Sequence, residues 1–145
     1  MNVILSIHPK WAKLIYEGKK TVEWRKTTPK RANGFTKIFL YETAPVCKIT
    51  GYVLFYGYDI FSPKQNCLKF ENGYALSHLE QKDAIKQIVR YGRVSMNDLV
   101  KYQGNSKQIF AWAVNAPRRA NCPMPIADFG LERPPQSWCY TEVDV

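Results

Sequence analysis

Hydrophobic and polar positions divide this chain into short blocks with two different periods. Residues 2–7, NVILSI, are almost uniformly apolar and predict a buried strand. In HPKWAKLIYEGKK, Trp11, Leu14 and Ile15 recur at helical spacing. Pro9 suits the first turn and Gly18 the stop, so a short helix is predicted. TVEWRK then switches to a period of two, with Val22 and Trp24 on one face and Thr21, Glu23 and Arg25 on the other. TTPKRANG reads as a loop and TKIFLYET as a strand that ends near Pro45. KITGYVLFYGYDIF reads as a long strand in which Gly51 and Gly57 mark a bend or bulge.

The second half is less regular. Residues 63–73 read as a loop. From about Ser77 to Tyr91, Leu79, Ile85, Ile88 and Val89 form a partial helical stripe that Gly92 stops. SMND opens another short helix, with Ser95 as its cap and Asp98 three residues on, ending near Gly104. SKQIFAWAVN predicts a strand. APRRANCPMPIADFGLERPPQ holds five of the nine prolines and predicts ordered loop. SWCYTEV predicts a last strand. Strands interrupted by a few helices, one of them long and bent, indicate an α+β fold built on a small bent sheet or barrel.

Composition narrows the class. At 145 residues, with 46% apolar and 23% charged residues, the chain can bury a core of its own and is read as one domain over 1–145. The longest apolar runs fall far short of a membrane span, and the first residues lack a secretory pattern, so a cytoplasmic protein is expected. The cysteines at 47, 67, 122 and 139 form no C-x-x-C pair. With only His8 and His78 beside them they give no zinc signature, and four free thiols, no metal and no cofactor are expected.

Charge carries more information. The net charge is +9 and is uneven: residues 1–48 hold ten Lys or Arg against three Glu, the remaining 97 hold eleven against nine acids. Trp11, Tyr16, Trp24, Phe35, Phe39 and Tyr41 are interleaved with the basic third. Cations meet phosphates and rings stack on unpaired bases, so this pattern suits nucleic acid. A solvated basic face with the rings turned into the core fits the composition equally well.

The motifs are more specific. Ser6-Ile7-His8-Pro9, a short helix, then Gly18, Lys20, Thr21, Glu23 and Arg25 read S-I-x-P followed by G-x-K-T-x-E-x-R. Tyr41-Glu42-Thr43-Ala44-Pro45-Val46, Ile49-Thr50-Gly51, the Ser95-to-Tyr102 helix and Phe110-Ala111-Trp112 follow in order. This succession resembles the ASCH domains of the PUA-like superfamily and covers essentially the whole chain. The resemblance implies an α+β fold, a small PUA-like β-barrel with short helices packed at its side, and a cleft lined by the helix-to-strand motif. It also implies an association with RNA. Relatives bind nucleic acids or modified bases, one branch hydrolyses acylated cytidine nucleosides with a Lys, a Thr and a Glu, and other members are credited with cleaving single-stranded RNA.

The expected function is therefore an RNA- or modified-nucleobase-binding module with a basic cleft, its partner a single-stranded RNA or a modified nucleoside. The alternative is a hydrolase of the same cleft, either a nucleoside amidohydrolase or a single-strand ribonuclease, with Lys20 as its catalytic group. Lys20, Thr21, Glu23 and Arg25 are expected to line the ligand site. There Glu23 would orient Arg25 or Lys20, and Arg25 would grip a phosphate. Trp24, facing the other way, is expected in the core. The Tyr41 hydroxyl either reaches the cleft or belongs to a half-buried strand tyrosine. Ser137 and Trp138, held by Pro134 and Pro135, either add to the ligand rim or plug the barrel end. Lys26, Lys30, Arg31, Arg118 and Arg119 are candidates for backbone phosphates, and Lys19 for an outer cation.

Overall fold

The computed structural model describes residues 1–71 and 78–145, and of residues 78 and 79 the backbone alone. The elements follow the predicted succession closely: β1 (Asn2–Ile7), α1 (Pro9–Tyr16), β2 (Val22–Arg25), β3 (Lys37–Glu42), β4 (Lys48–Ser62), β5 (Cys67–Phe70), α2 (His78–Gly92), α3 (Met96–Gln103), β6 (Ile109–Met124) and β7 (Trp138–Thr141). The strands form one mixed sheet of order β2-β6-β4-β3-β1-β7, with β5 paired to β4. With three helices beside this sheet, the class is α+β.

Local signals set several boundaries as expected. Pro9 opens α1, and Gly18 takes a left-handed φ of 74° just beyond its end. Ser95 caps α3, its hydroxyl accepting from the Asp98 amide at 3.2 Å, and Gly104 closes that helix at φ 53°. Ser77, the expected start of α2, lies outside the described residues, as does the side chain of Leu79. The buried residues of α1 are Ala12 and Ile15, while Trp11 and Leu14 are only half-buried.

Two expected loops are strand instead. Within 63–73, residues 67–70 form β5 in a hairpin with β4, pairing Ile60 with Lys69 and Ser62 with Cys67. CLKF is too short and too polar for its alternation to show without the partner strand. The proline-rich segment from residue 116 continues β6 to Met124, followed by a single 3-10 turn at Ile126–Phe129. β2 pairs only with Phe110 to Ala113, so Pro117 and Pro123 remove no ladder bond to that neighbour.

The chain divides into two compact units. One comprises Met1–Lys19, Pro29–Tyr56 and Val114–Val145, and the other comprises Lys20–Thr28 and Gly57–Ala113. In the first, β1 lies between β3, which runs parallel to it, and antiparallel β7. Its core gathers Ile4, Phe39, Tyr41, Ile49 and Phe129. β3 pairs with the start of β4 through a register shift at Leu40/Tyr41, opposite Gly51 and Ile49. Gly51 is required by close approach: a Cβ there would stand 2.3 Å from the Arg118 carbonyl and 2.7 Å from the Tyr16 hydroxyl. The second unit has its own core of Trp24, Phe61, Leu68, Ile85, Leu99, Ile109 and Ala111, packed against α2 and α3.

Candidate functional site

GKKTVEWRK places a charged cluster in the interior of the second unit. Thr21 donates its amide to the Tyr91 carbonyl at 3.0 Å, joining the segment before β2 to the end of α2. Gly92 lies directly on Trp24, where an added Cβ would come within 2.3 Å of the indole nitrogen. The residue read as a helix stop is therefore also a contact point. Lys20, only 2% exposed, donates to the Gly92 carbonyl at 2.5 Å. A cation at the last carbonyls of a helix is favoured by the orphan acceptors and the helix dipole.

Glu23 is shared between two cations. One carboxylate oxygen lies 3.4 Å from the Lys20 ammonium, and the other accepts from Arg25 Nη2 at 2.6 Å and Nε at 2.9 Å. Glu23 is 5% exposed, so this is an interior network rather than a surface ion pair. Burial pushes the Lys20 ammonium below its ordinary pKa. The Glu23 charge and hydrogen bond oppose that shift, and the Arg25 charge adds to it. Tyr102 of α3 belongs to the same neighbourhood. Burial raises its phenol pKa, Arg25 lowers it and Glu23 raises it.

The neighbouring residues of the segment differ in burial. Trp24 is buried in the core, its ring 5.8 Å from that of Phe61. Thr21 is half-buried, on the face of Glu23 and Arg25. Lys19 is exposed, 3.8 Å from Glu17. Lys26 is exposed, with its ammonium 5.2 Å from the Tyr102 ring centre.

The remaining candidates belong to the first unit. Tyr41 is buried in its core, and its pKa is raised by burial and by the neighbouring Cys47 thiol. The Ser137 carbonyl accepts from the Ser6 amide at 2.9 Å, while the Ser6 hydroxyl donates to the Pro135 carbonyl at 2.6 Å. Residue Ser6 of the S-I-x-P motif thus anchors the proline-rich approach to β7. Half-buried Trp138 meets Tyr140 edge to face at 5.1 Å. Lys30, Arg31, Arg118 and Arg119 are all exposed. Arg31 lies 4.2 Å from the Tyr140 ring centre and Arg119 lies 4.1 Å from that of Tyr16.

A polar group in this unit was not legible in the sequence. The Tyr16 hydroxyl and the Thr50 hydroxyl share a hydrogen bond of 2.8 Å. Burial pushes the Tyr16 pKa up to about 12, with the Thr50 bond opposing it, Glu42 adding and Arg119 opposing. Glu42 itself is 7% exposed at the end of β3. In the Y-E-T-A-P run no local pattern marks this carboxylate as buried. Among the described residues, no group of three or more His, Cys, Asp or Glu side chains is arranged to hold a metal. Nor is any helix among them long and apolar enough to cross a membrane.

Comparison with known proteins locates the chain. A model of the ASCH domain matches residues 5–114. The crystal structure of ASCH from Zymomonas mobilis is similar to this chain at a TM-score of 0.73 and 20% identity, covering 97% of this chain and 87% of that one. Crystal structures of two variants of that protein are also similar. A tyrosine-to-phenylalanine variant has a TM-score of 0.64 at 20% identity, covering 97% of this chain and 90% of that chain. A serine-to-alanine variant has 0.63 at 19%, covering 97% and 88%. At such identities the likeness establishes the fold, which is PUA-like. A search of curated proteins found no match.

Proposed function

This chain belongs to the ASCH domain family, whose members are generally thought to bind RNA, and on that premise we propose that it is an RNA-binding module acting as one domain over 1–145. One observation carries this reading. Lys26, Lys30, Arg31, Arg118 and Arg119 are exposed, and among the described residues none of the five is ion-paired with a carboxylate. Three of them lie over tyrosine rings. Unneutralised cations on ring faces suit a strand whose phosphates need counter-charge and whose unpaired bases can stack. In the second unit we assign Lys20, Thr21, Glu23 and Arg25 to base or modified-nucleoside recognition; in the first unit we assign Tyr41, Ser137 and Trp138 to the same kind of contact. The variants made of the Zymomonas protein change a tyrosine and a serine, the hydroxyl types that Tyr41 and Ser137 supply here.

The test is fluorescence anisotropy with labelled single-stranded RNA, duplex DNA and heparin from low to moderate salt. Single-stranded RNA should bind more tightly than the duplex, with affinity falling steeply as salt rises. Equal binding to heparin would reduce the interaction to nonspecific charge.

A second reading, hydrolysis at the same residues, draws on Lys20. Burial lowers its proton affinity, and a lysine that gives up its proton readily is a candidate general base. Its engagement with Glu23 and the Gly92 carbonyl works against that role.

A further inference from the structure

The second unit contains a cavity of about 510 Å³ that the ASCH motif residues do not line. Its floor follows from strand alternation in the β4–β5 hairpin. Phe61 and Leu68, a cross-strand pair, face the unit's core, so the flanking pairs Ile60/Lys69 and Ser62/Cys67 face the other way, into the cavity. The opposite wall is the connection from α3 to β6, with Asn105, Lys107 and Gln108 among its lining residues.

Gln103 holds the two walls at a fixed separation. It is 1% exposed and uses both ends of its amide. The oxygen accepts from the Lys64 amide at 3.0 Å, and the nitrogen donates at 3.1 Å to the Ser62 hydroxyl and to the Ser106 and Lys107 carbonyls. Lys64 reaches across as well, donating its ammonium to the Gly104 carbonyl. A cavity with cross-braced walls is present before any ligand arrives.

The lining chemistry has one sign. Lys64, Lys69 and Lys107 line the cavity, and among the described residues no carboxylate does. Lys69 and Lys107 are exposed and, among the described residues, neither is ion-paired. Around them Gln65, Asn105 and Gln108 carry amides, which both donate and accept hydrogen bonds and so match the polar edge of a base. The volume lies within the range of small-molecule sites, roughly 300–1,000 Å³.

We propose that this cavity is a second binding site, distinct from the ASCH motif residues, for a nucleotide phosphate, with Lys69 and Lys107 meeting the phosphate and the amides meeting the base. The phosphate belongs either to a free mononucleotide or to one nucleotide of an RNA strand. Half-buried Cys67 on the cavity floor reports occupancy.

The experiment titrates the intact protein with cytidine monophosphate, adenosine monophosphate, adenosine, inorganic phosphate and a single-stranded tetranucleotide. It reads affinity by calorimetry and Cys67 alkylation by mass spectrometry. A mononucleotide or the tetranucleotide should protect Cys67 saturably, and which of the two protects it at the lower concentration identifies the source of the phosphate. Adenosine should bind at least about tenfold more weakly than its monophosphate. The double variant Lys69→Ala/Lys107→Ala, both exposed positions, should need about tenfold or more nucleotide to protect Cys67, whereas Arg25→Ala should keep that protection while its RNA affinity falls, which separates this site from the proposed RNA-binding residues. The inference is overturned if no nucleotide protects Cys67 or if the double variant binds like the parent. It is equally overturned if inorganic phosphate alone binds as tightly as the nucleotides.

Discussion

The Lys20 ammonium donates a 2.5 Å hydrogen bond to the carbonyl of Gly92, the last residue of α2. This ties the K-T-x-E-x-R motif to a helix some seventy residues away in sequence. The motif lysine therefore has a structural role whatever else it does, because its amine partners both Gly92 and Glu23.

Removing that amine should unfold the protein more easily. Lys20→Met keeps most of the stem volume but leaves the Gly92 carbonyl without its donor and Glu23 with Arg25 alone. Breaking one partner out of a buried pair costs about 3–5 kcal/mol, and the remaining Arg25 contact favours the lower end. Glu23→Gln should cost at least as much, since it removes the carboxylate that both cations share. Urea denaturation of both variants measures this; parent-like midpoints would show that the network adds nothing to stability.

Arg25 and Trp24 occupy opposite faces of β2 and should fail differently. Arg25→Ala leaves Glu23 neutralised by Lys20, so the fold should persist while RNA affinity drops by about 1–3 kcal/mol. Trp24→Ala empties the centre of the second unit's core and should destabilise by roughly 3–5 kcal/mol. Thermal melts and RNA anisotropy on the same preparations separate the two. An early melt for Arg25→Ala with a normal one for Trp24→Ala would reverse the assignment of faces.

Two groups give pH dependences of opposite sign. Lys20 binds its proton more weakly folded than unfolded, where the value is near 10.5. Unfolding therefore takes up a proton between its depressed pKa and 10.5, and stability rises with pH across that window. Tyr16 has its pKa raised from 10.0 to about 12. Its contribution is fully present below pH 10 and is lost as pH rises through about 12. Denaturation midpoints between pH 8 and 12 should show the gain vanish in Lys20→Met and the loss shrink in Tyr16→Phe. Unchanged profiles in both variants would contradict these assignments.

Gly51→Ala should be among the most damaging single-methyl changes in the first unit. The new carbon would overlap the Arg118 carbonyl, a backbone atom with little freedom to yield, as well as the Tyr16 hydroxyl. Overpacking of this kind costs about 1–3 kcal/mol or more. A melt at parent temperature would mean that β4 and β6 separate there without penalty.

Hydrolysis of N4-acetylcytidine is expected to be weak or absent. In the hydrolytic branch that the motif resembles, a threonine stands where this chain has Glu23, and a carboxylate cannot act as that hydroxyl nucleophile. The Glu23 charge also favours the protonated form of Lys20, although burial opposes it with the larger effect. Chromatography of the nucleoside incubated with the protein, with Lys20→Ala as control, decides the matter. Robust turnover that disappears in the variant would make Lys20 catalytic.

Strand and helix periods, proline and glycine punctuation and the Ser95 cap act through neighbours in sequence, so the succession of elements could be read from the chain alone. So could the placement of Trp24 in the core and the family likeness. β5 escaped because four residues carry too little alternation without a partner strand, and the extension of β6 escaped because only the end of the β2 pairing at Ala113 shows that Pro117 and Pro123 cost no ladder bond to that neighbour. Lys20 shows the same limit at the candidate site. Sequence marked it as a ligand-site residue, but its bond to Gly92, its burial and the lowering of its pKa come from α2 folding back onto β2. The Tyr16–Thr50 and Gln103–Ser62 hydrogen bonds likewise join residues 34 and 41 positions apart. Local patterns fix which side chains share a strand or helix face, whereas burial, shifted proton affinity and cavity walls depend on partners that only chain reversal brings within hydrogen-bond reach.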